Sequence, residues 1–249
     1  MNVPIKPVAK TMSFLYGDER IVFEWQERPQ ANGKILIKVT PAGRVVVSAP
    51  PNAEAGSILA AVQKRGRWIY QQLRDFRQQL EYTTPRQYTS GESHYYLGKQ
   101  YLLKVNVAPG EVQGVKLLRG SLEVSVRQHA PDKVKELLAE WYKNRAKELF
   151  HKRLATVLEQ ALWVTERPAL RLQTMQTQWG SCSPGGRITL NPLLVKAPRE
   201  CIDYVILHEL CHIAEHNHSE RFYRLMGQVM PGWEKTKQRL DGMVGKIFE

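Results

Sequence analysis

The chain has 249 residues, of which 43% are hydrophobic and 9% aromatic, a composition that excludes a wholly disordered protein and suits one large domain or two ordinary ones. It carries 36 Lys and Arg against 24 Asp and Glu, a formal net charge of +12 at pH 7. Such an excess favours anionic partners, including nucleic acid, nucleotides and acidic lipid headgroups, although a generally basic surface explains it equally well.

The three cysteines, Cys182, Cys201 and Cys211, are an odd number and form no disulfide framework. This usage fits a reducing compartment and predicts a cytoplasmic protein. The N-terminal segment MNVPIKPVAKTMSFLYGDERIVFEW has no unbroken apolar stretch before a small-residue cleavage site. No later window approaches the ~18 apolar residues of a membrane span, so we expect neither export nor membrane insertion.

The N-terminal region, residues 1–92, predicts a sheet followed by a helix. Within it, IVFEW, KILIKV and RVVVSAP predict a three-stranded β-meander with turns at Asn32-Gly33 and Pro41-Ala42-Gly43. Gly66 weakens the middle of the helix that follows. The apolar face of that helix comprises Ile58, Leu59, Val62, Ile69, Leu73, Phe76 and Leu80.

The polar segment YTTPRQYTSGES predicts a linker, after which residues 93–249 form a second domain. This domain begins with two predicted hairpins, one turning at residues 97–99 and the other at 119–121. A long amphipathic helix starts at Pro131. Two short strands, ALRLQTM and RITLN, then flank QWGSCSPGG, and a helix runs from Pro198 to about His216. The whole predicts an α+β fold, without an internal sequence repeat.

Four of the seven histidines lie in the segment HELCHIAEHNH, residues 208–218. On a helix that turns 100° per residue, His208 and His212 are about 40° apart around the axis and one turn apart along it. Both imidazoles therefore reach one metal ion. Glu209 lies about 60° from His212, near enough to touch a water on that ion but badly placed to bind the ion itself.

This HExxH pattern suits metal-assisted hydrolysis. Neutral imidazoles leave most of the charge on Zn²⁺, which lowers the pKa of bound water from about 15.7 to near 7, while a neighbouring carboxylate collects the proton. The pattern predicts zinc, with Glu209 as general base, although histidines alone do not distinguish zinc from nickel. The alternative is an ordinary helix whose histidines lie in the core or on the surface.

Catalytic zinc usually takes three protein ligands, so a third donor is needed beside His208 and His212. We predict His218, because Asn217 tolerates a left-handed conformation that would end the helix and return the next residue to the metal. The competitor, His216, would lie about 12 Å along a straight helix from His208, too far to share an ion. Cys182 and Cys211 are further potential donors, but we expect both to be small buried hydrophobes.

Several segments carry a resemblance to a known family. They are RVVVSAPP, YYLGKQYLL, EWYKNRAKELF, QWGSCS, ITLNPLL, IDYVILHELCH, NHSERF and MPGWEKTKQRL. Together they resemble the YgjP-like metallopeptidases, relatives of the SprT and WLM zincin-like proteases, over nearly the whole chain.

The resemblance implies a zincin-like metallohydrolase domain preceded by a β-rich region. It assigns His208, His212 and His218 as metal ligands and Glu209 as general base. It places the WGSC segment beside the cleft, where a free strand edge would bind an extended peptide. The family usually has Arg before WGSC, and this chain has Gln178, which lacks the bidentate cationic group of Arg.

The expected function is peptide hydrolysis by a zinc metallopeptidase. Some relatives are described as hydrolysing nucleoside triphosphates, UTP in particular, so a nucleotide pyrophosphohydrolase on the same site is the first alternative. A metal-stabilised module that binds nucleic acid or protein with little turnover is the second. The expected partners are a peptide, protein or nucleotide substrate, and nucleic acid on the basic surface, with no membrane. The sequence predicts no oligomeric state.

Overall fold

The structure is a computed structural model that describes residues 10–28, 34–40, 43–81, 86–175 and 178–248. The predicted turn at Asn32-Gly33, the first two residues of the predicted Pro41-Ala42-Gly43 turn and the side chains of Phe76 and Leu80 lie outside the described residues. The described residues form an α+β fold. None of their helices is both long enough and apolar enough to span a bilayer.

The chain divides into two compact units, Met1–Thr83 and Thr84–Glu249, called here the first and second units. Each has its own hydrophobic core. The boundary predicted after residue 92 falls inside the second unit, because Glu92 bonds to that unit's sheet: its carbonyl accepts from the backbone N–H of Leu103 at 2.8 Å.

The first unit holds a four-stranded sheet. Its strands are β1 (Lys10–Tyr16), β2 (Glu19–Glu27), β3 (Leu36–Val39) and β4 (Val45–Ala49). Their order is β1-β2-β4-β3, and β2 and β4 pair in parallel, with Phe23 opposite Val45. The predicted meander is therefore wrong. The unpredicted β1 forms a hairpin with β2 through Gly17, whose φ of 59° suits a tight turn, and β3 is left at the other edge.

Two helices follow this sheet, α1 (Ala55–Lys64) and α2 (Gly66–Glu81). The helix predicted as continuous is interrupted at Arg65, directly before the glycine expected to weaken it. Gly66 also lets β1 come close, since a Cβ there would lie 2.9 Å from Cδ2 of Tyr16. Of the predicted apolar face, Ile58, Val62, Ile69 and Leu73 are buried in the core.

The second unit opens with another four-stranded sheet. Its strands are β5 (Ser93–Tyr96), β6 (Lys99–Val107), β7 (Gly114–Leu118) and β8 (Ser121–Val126). Both predicted hairpins are present, and the sheet order is β5-β6-β8-β7 with β6 and β8 parallel. The inward-facing side chains of β6 and β8, such as Leu103, Leu122 and Val124, are fully buried.

The long predicted helix is α3 (Pro131–Leu158), which begins at the predicted proline. Its buried face comprises Val134, Leu138, Trp141, Tyr142, Ala146, Phe150, Leu154 and Val157. The Tyr142 hydroxyl donates to the Tyr95 carbonyl at 2.8 Å, which ties α3 to β5. The spacing of these side chains is the 3.6-residue period from which the helix was predicted.

The rest of the second unit is a small sheet with four helices. The strands are β9 (Leu170–Leu172), β10 (Gly180–Cys182) and β11 (Ile188–Leu190), in the order β10-β11-β9. A 3-10 helix, Pro192–Lys196, leads into α4 (Arg199–Ala214), α5 (Glu220–Val229), α6 (Trp233–Asp241) and α7 (Val244–Ile247). Because α4 packs against α3, α5, α6 and β10, it lies at the centre of the unit.

Candidate metal centre

The helix α4 carries the predicted HExxH residues and is fixed in a buried position. Its apolar side chains Ile202, Ile206 and Leu210 are fully buried. On its other side, the Arg153 guanidinium of α3 donates two hydrogen bonds of 2.7 Å to the two carboxylate oxygens of Asp203. This bidentate pair holds α3 and α4 in register, so α4 is a rigid platform for the side chains it presents.

The structure brings together the three histidines predicted as metal ligands. His208 and His212 project from α4, and His218 comes from the segment between α4 and α5. One ligating atom from each lies within 4.8 Å of the others, and the Nε2 atoms of His208 and His218 are 3.1 Å apart. Nitrogens bound at ~2.0–2.1 Å to a tetrahedral ion lie roughly 3.3 Å apart, so these three residues fit a shared divalent ion.

The turn that returns His218 differs from the predicted one. Helix α4 ends at Ala214, earlier than predicted, and Glu215 takes an extended conformation with φ −143° and ψ 102°. Among the described residues other than glycine, only Tyr88, Leu97 and Arg119 have positive φ, so Asn217 is not left-handed. The chain reverses because the extended Glu215 directs it away from the helix axis.

The same turn orients His212. The Nδ1 atom of His212 lies 3.0 Å from the Glu215 carbonyl oxygen. A carbonyl only accepts hydrogen bonds, so Nδ1 carries the proton and Nε2 keeps its lone pair. Such a backbone partner fixes the tautomer and ring orientation of a metal-binding histidine.

Burial favours the neutral, metal-binding form of two of the imidazoles, those of His208 and His218. It lowers the pKa of His208 to about 3, and the neighbouring His212, His218 and Lys237 lower it further. Burial also lowers the pKa of His218, with His212 as a second cause. At neutral pH both side chains therefore offer lone pairs instead of protons.

Phe222 is a site residue that the sequence analysis did not single out. Its ring is buried, with its centroid 4.9, 4.6 and 4.7 Å from those of His208, His212 and His218. The backbone N–H of Phe222 donates to the Oγ of Ser219, the N-cap of α5, at 3.3 Å. Phe222 forms an apolar base under the histidines, and a Ser at the helix start three residues before it was the available sequence signal.

Glu209 is only 5% exposed, and burial raises its pKa to about 8. Its carboxylate lies against the backbone of β10, since a Cβ added to Gly180 would come within 2.8 Å of its Oε1. Gly180 is thus a second site residue that the analysis missed, although a glycine in a strand often marks a close approach. The WGSC segment lies beside the site, as the resemblance implied.

A cleft of about 400 Å³ opens at this position. Its lining comprises Gln178, Gly180, Ser181, Cys182, Pro184, His208, Glu209, His212, His216 and His218. His216 thus borders the cleft without joining the three-histidine group. Cys211 is buried as predicted, whereas Cys182 is half-buried on the cleft wall. Burial and the nearby Glu209 raise the pKa of Cys182 to about 11, so this thiol stays protonated at neutral pH.

The strand β10 is at an edge of its sheet and pairs with β11 alone among the described strands. A second cavity, of about 430 Å³, adjoins the hairpin that follows β10. Its lining includes Trp163, Glu166, Arg167, Ser183, Gly185, Gly186, Arg187 and Ile213. The edge strand β10 thus lines the cleft at the histidine cluster, and the turn that follows it, Ser183–Arg187, lines the second cavity.

Comparisons with known proteins identify a family whose model matches most of the chain. The family described as YgjP-like, metallopeptidase domain, matches residues 33–243. Among solved structures, the chain is similar to the metallopeptidase zymogen of Pyrococcus abyssi abylysin, with 25% sequence identity, coverage of 39% of this chain and 94% of that chain, and a TM-score of 0.35. A comparison with curated protein sequences gives no match.

Proposed function

Because the chain belongs to the YgjP-like metallopeptidase family, we propose that it is a zinc-dependent hydrolase of peptide bonds. Family membership supports a metal-dependent hydrolase; zinc and the residue roles are our proposal. The ligands would be His208, His212 and His218, and Glu209 would be the general base. The observation that carries the proposal is the convergence of three imidazoles beside a buried carboxylate at an open cleft.

Zinc held at this cluster would supply Lewis acidity, which acidifies water and polarises the carbonyl under attack. The chain's own residues supply the proton transfers. In the metal-free chain burial raises the pKa of Glu209 to about 8, and the charge of a bound divalent ion would lower it and favour the ionised carboxylate that accepts a proton. Glu209 would take a proton from water and deliver it to the leaving amine. The position of its carboxylate against Gly180 keeps it at one side of the cleft.

The substrate would bind as an added strand along β10. Its backbone N–H and C=O groups would pair with those of Gly180–Cys182, which face no other described strand on that side. Backbone pairing aligns an extended peptide without reading its side chains. The cavity bordered by Trp163 and Arg187 would then take a side chain beyond the histidine cluster.

One observation favours a second candidate, the hydrolysis of nucleoside triphosphates. Arg167 and Arg187 both line the cavity next to β10, and guanidinium groups bind phosphate well. The net charge of +12 agrees with an anionic substrate, and also with nucleic acid bound on the basic surface. With its three free cysteines, the protein fits a cytoplasmic location.

The test is to incubate zinc-loaded protein with casein and, separately, with a panel of nucleoside triphosphates. We expect casein cleavage, and we expect Glu209→Gln to keep its zinc while turnover falls by about 10²- to 10⁴-fold. Glu140→Gln, on the exposed side of α3, is the matched control and should leave both unchanged.

Cleavage of nucleotides alone would replace the first proposal by the second. Full activity in Glu209→Gln would contradict the role of that carboxylate. Activity on neither substrate, together with strongly salt-dependent DNA binding, would favour a binding module.

A further inference from the structure

Three aromatic rings form a row between two of the clustered histidines. The ring of Tyr204 on α4 stacks on Trp233 at the start of α6, with centroids 6.2 Å apart and planes 7° apart. Trp233 stacks on Tyr223 of α5 at 5.6 Å and 12°. Tyr223 then stacks on His218 at 6.2 Å and 28°. At the other end, Tyr204 lies 5.9 Å from the ring of His208.

The contact between His218 and Tyr223 is part of a helix N-terminus. Ser219 is the N-cap of α5, so His218 immediately precedes the cap and Tyr223 is the fourth residue of the helix. A contact between the side chains at these two positions is the hydrophobic staple, which fixes the direction in which the chain enters a helix. Here the staple partner is an imidazole of the metal cluster.

His218 needs such support more than its two partners do. His208 and His212 project from a buried helix, whereas His218 lies in the segment between two helices and is exposed. Ordering an exposed side chain on metal binding costs conformational entropy. A ring already stacked in the binding orientation loses less of that freedom when it binds.

We propose that Tyr223 is a positioning residue that holds the His218 imidazole in its metal-binding orientation by ring stacking. Trp233 stacks on Tyr223, and Tyr204 stacks on Trp233. Side chains from three helices therefore fix the orientation of the Tyr223 ring. The inference rests on the proposed function, in which His218 is a ligand. In addition, the stacked rings orient the His218 imidazole before metal binds, and this orientation sets how much His218 contributes to metal affinity.

Aromatic pairs contribute about 0.5–1.5 kcal/mol beyond the area they bury. Loss of the stack should therefore raise the Kd for zinc roughly 2- to 12-fold. Because Tyr223 is 45% exposed, its replacement should leave the metal-free fold intact. Removal of His218 itself removes a ligand and should weaken zinc binding far more.

The experiment compares Tyr223→Phe, Tyr223→Leu and Tyr223→Ala in the full chain. Zinc Kd is measured by competition with a chelator, and the geometry of the site by the visible absorption of the Co²⁺ form. We expect Phe to match the wild type, because it keeps the stack. Leu and Ala should weaken zinc binding roughly 2- to 12-fold and shift the Co²⁺ bands. Trp68→Ala, which removes a 40% exposed aromatic ring in the first unit, is the matched control and should change neither.

Wild-type Kd and Co²⁺ spectrum in the Leu and Ala variants would overturn the positioning role, and so would weak binding in the Phe variant. His218→Ala separates the two levels of the proposal: if it binds zinc like the wild type, the ligand set is wrong. If the Tyr223 variants do not fold, Trp233→Leu against Trp233→Phe decides by the same two measurements.

Discussion

The two four-stranded sheets of the protein share one topology, and the predicted metal ligands all lie in one of the two units. In the first unit the strand order is β1-β2-β4-β3, and in the second it is β5-β6-β8-β7. Each sheet joins two hairpins by a parallel central pair and is followed in the chain by a helix. Only the second unit continues into β9–β11 and α4. The shared sheet is therefore a scaffold, and the added elements carry the candidate chemistry.

The two cores also differ in what they bury. Among the described residues of the first unit, Thr40 is the one buried polar side chain. The second unit buries His94, Ser121, Asn191, Lys196 and Glu209. Buried titratable groups cost stability unless they are paired or neutral. The second unit therefore contains more buried titratable side chains among the described residues, so a change of pH should affect it more strongly than the first unit.

The largest expected difference in activity is between the replacement of Gly180 in the second unit and that of Gly56 in the first unit. In Gly180→Ala the new Cβ would meet Glu209, so the carboxylate must move, and a displacement of this kind costs on the order of 10²-fold in kcat. Gly56, in α1, has no neighbouring atom within 4 Å of the position of a Cβ. Gly56→Ala should keep full activity and gain up to about 1 kcal/mol of stability.

Steady-state kinetics and chemical unfolding of both glycine variants make this test. Equal activity in Gly180→Ala and Gly56→Ala would show that the active position of the Glu209 carboxylate does not depend on its close contact with the backbone of β10.

The second effect is the loss of stability in acid that His94 of the second unit should cause. Burial, with Arg86 and Lys196 nearby, lowers the pKa of His94 to about 3 from its ordinary 6.5. The unfolded chain therefore binds more protons than the folded one between these values, and stability present above pH 6.5 is lost as the pH falls toward 3. At about 1.36 kcal/mol per pKa unit, the loss amounts to a few kcal/mol.

Urea unfolding of the zinc-free protein at pH 7, 5.5 and 4.5 measures this loss. His94→Phe should lose less stability on acidification than the wild type. Glu209 acts in the opposite sense, because its raised pKa makes stability fall as the pH rises from 4.5 to about 8, but it is present in both proteins. Identical pH dependences would show that His94 does not control acid stability.

The smallest expected effect is the stability lost when an ion pair is removed. Each unit has such a pair between two of its secondary-structure elements. The side chains of Arg153 and Asp203, in the second unit, are 24% and 16% exposed. Those of Arg77 and Glu19, in the first unit, are 59% and 30% exposed. Because solvent screens the second pair more, Arg153→Met should cost about 1–3 kcal/mol and Arg77→Met about 0–1 kcal/mol.

Chemical unfolding followed by circular dichroism gives both values. A larger cost for Arg77→Met would reverse the assignment of the α3–α4 bridge as the stronger of the two pairs.

Much of the second unit was predictable because its signals are local. The 3.6-residue period placed α3, the turns at Gly98 and Gly120 placed two hairpins, and the spacing of His208 and His212 put both on one side of α4. The need for a third metal donor predicted that His218 lies close to His208 and His212. These inferences depend on neighbours within a few residues of one another.

The remainder depended on contacts between distant residues. Strand β1 was overlooked, and with it the parallel pairing of β2 and β4 that repeats in β6 and β8. The proximity of Gly180 to Glu209 joins a strand to a helix, and the stack of Tyr223 on Trp233 joins two helices. Sequence periodicity defines which face of an element is buried, but it does not identify what that face contacts.

The most direct test of the account is X-ray absorption of zinc-loaded wild type and His218→Ala, with zinc content measured in parallel. The account predicts one zinc per chain bound by three imidazole nitrogens at about 2.0–2.1 Å, and one imidazole fewer in the variant. An unchanged spectrum and unchanged zinc content in His218→Ala would contradict it.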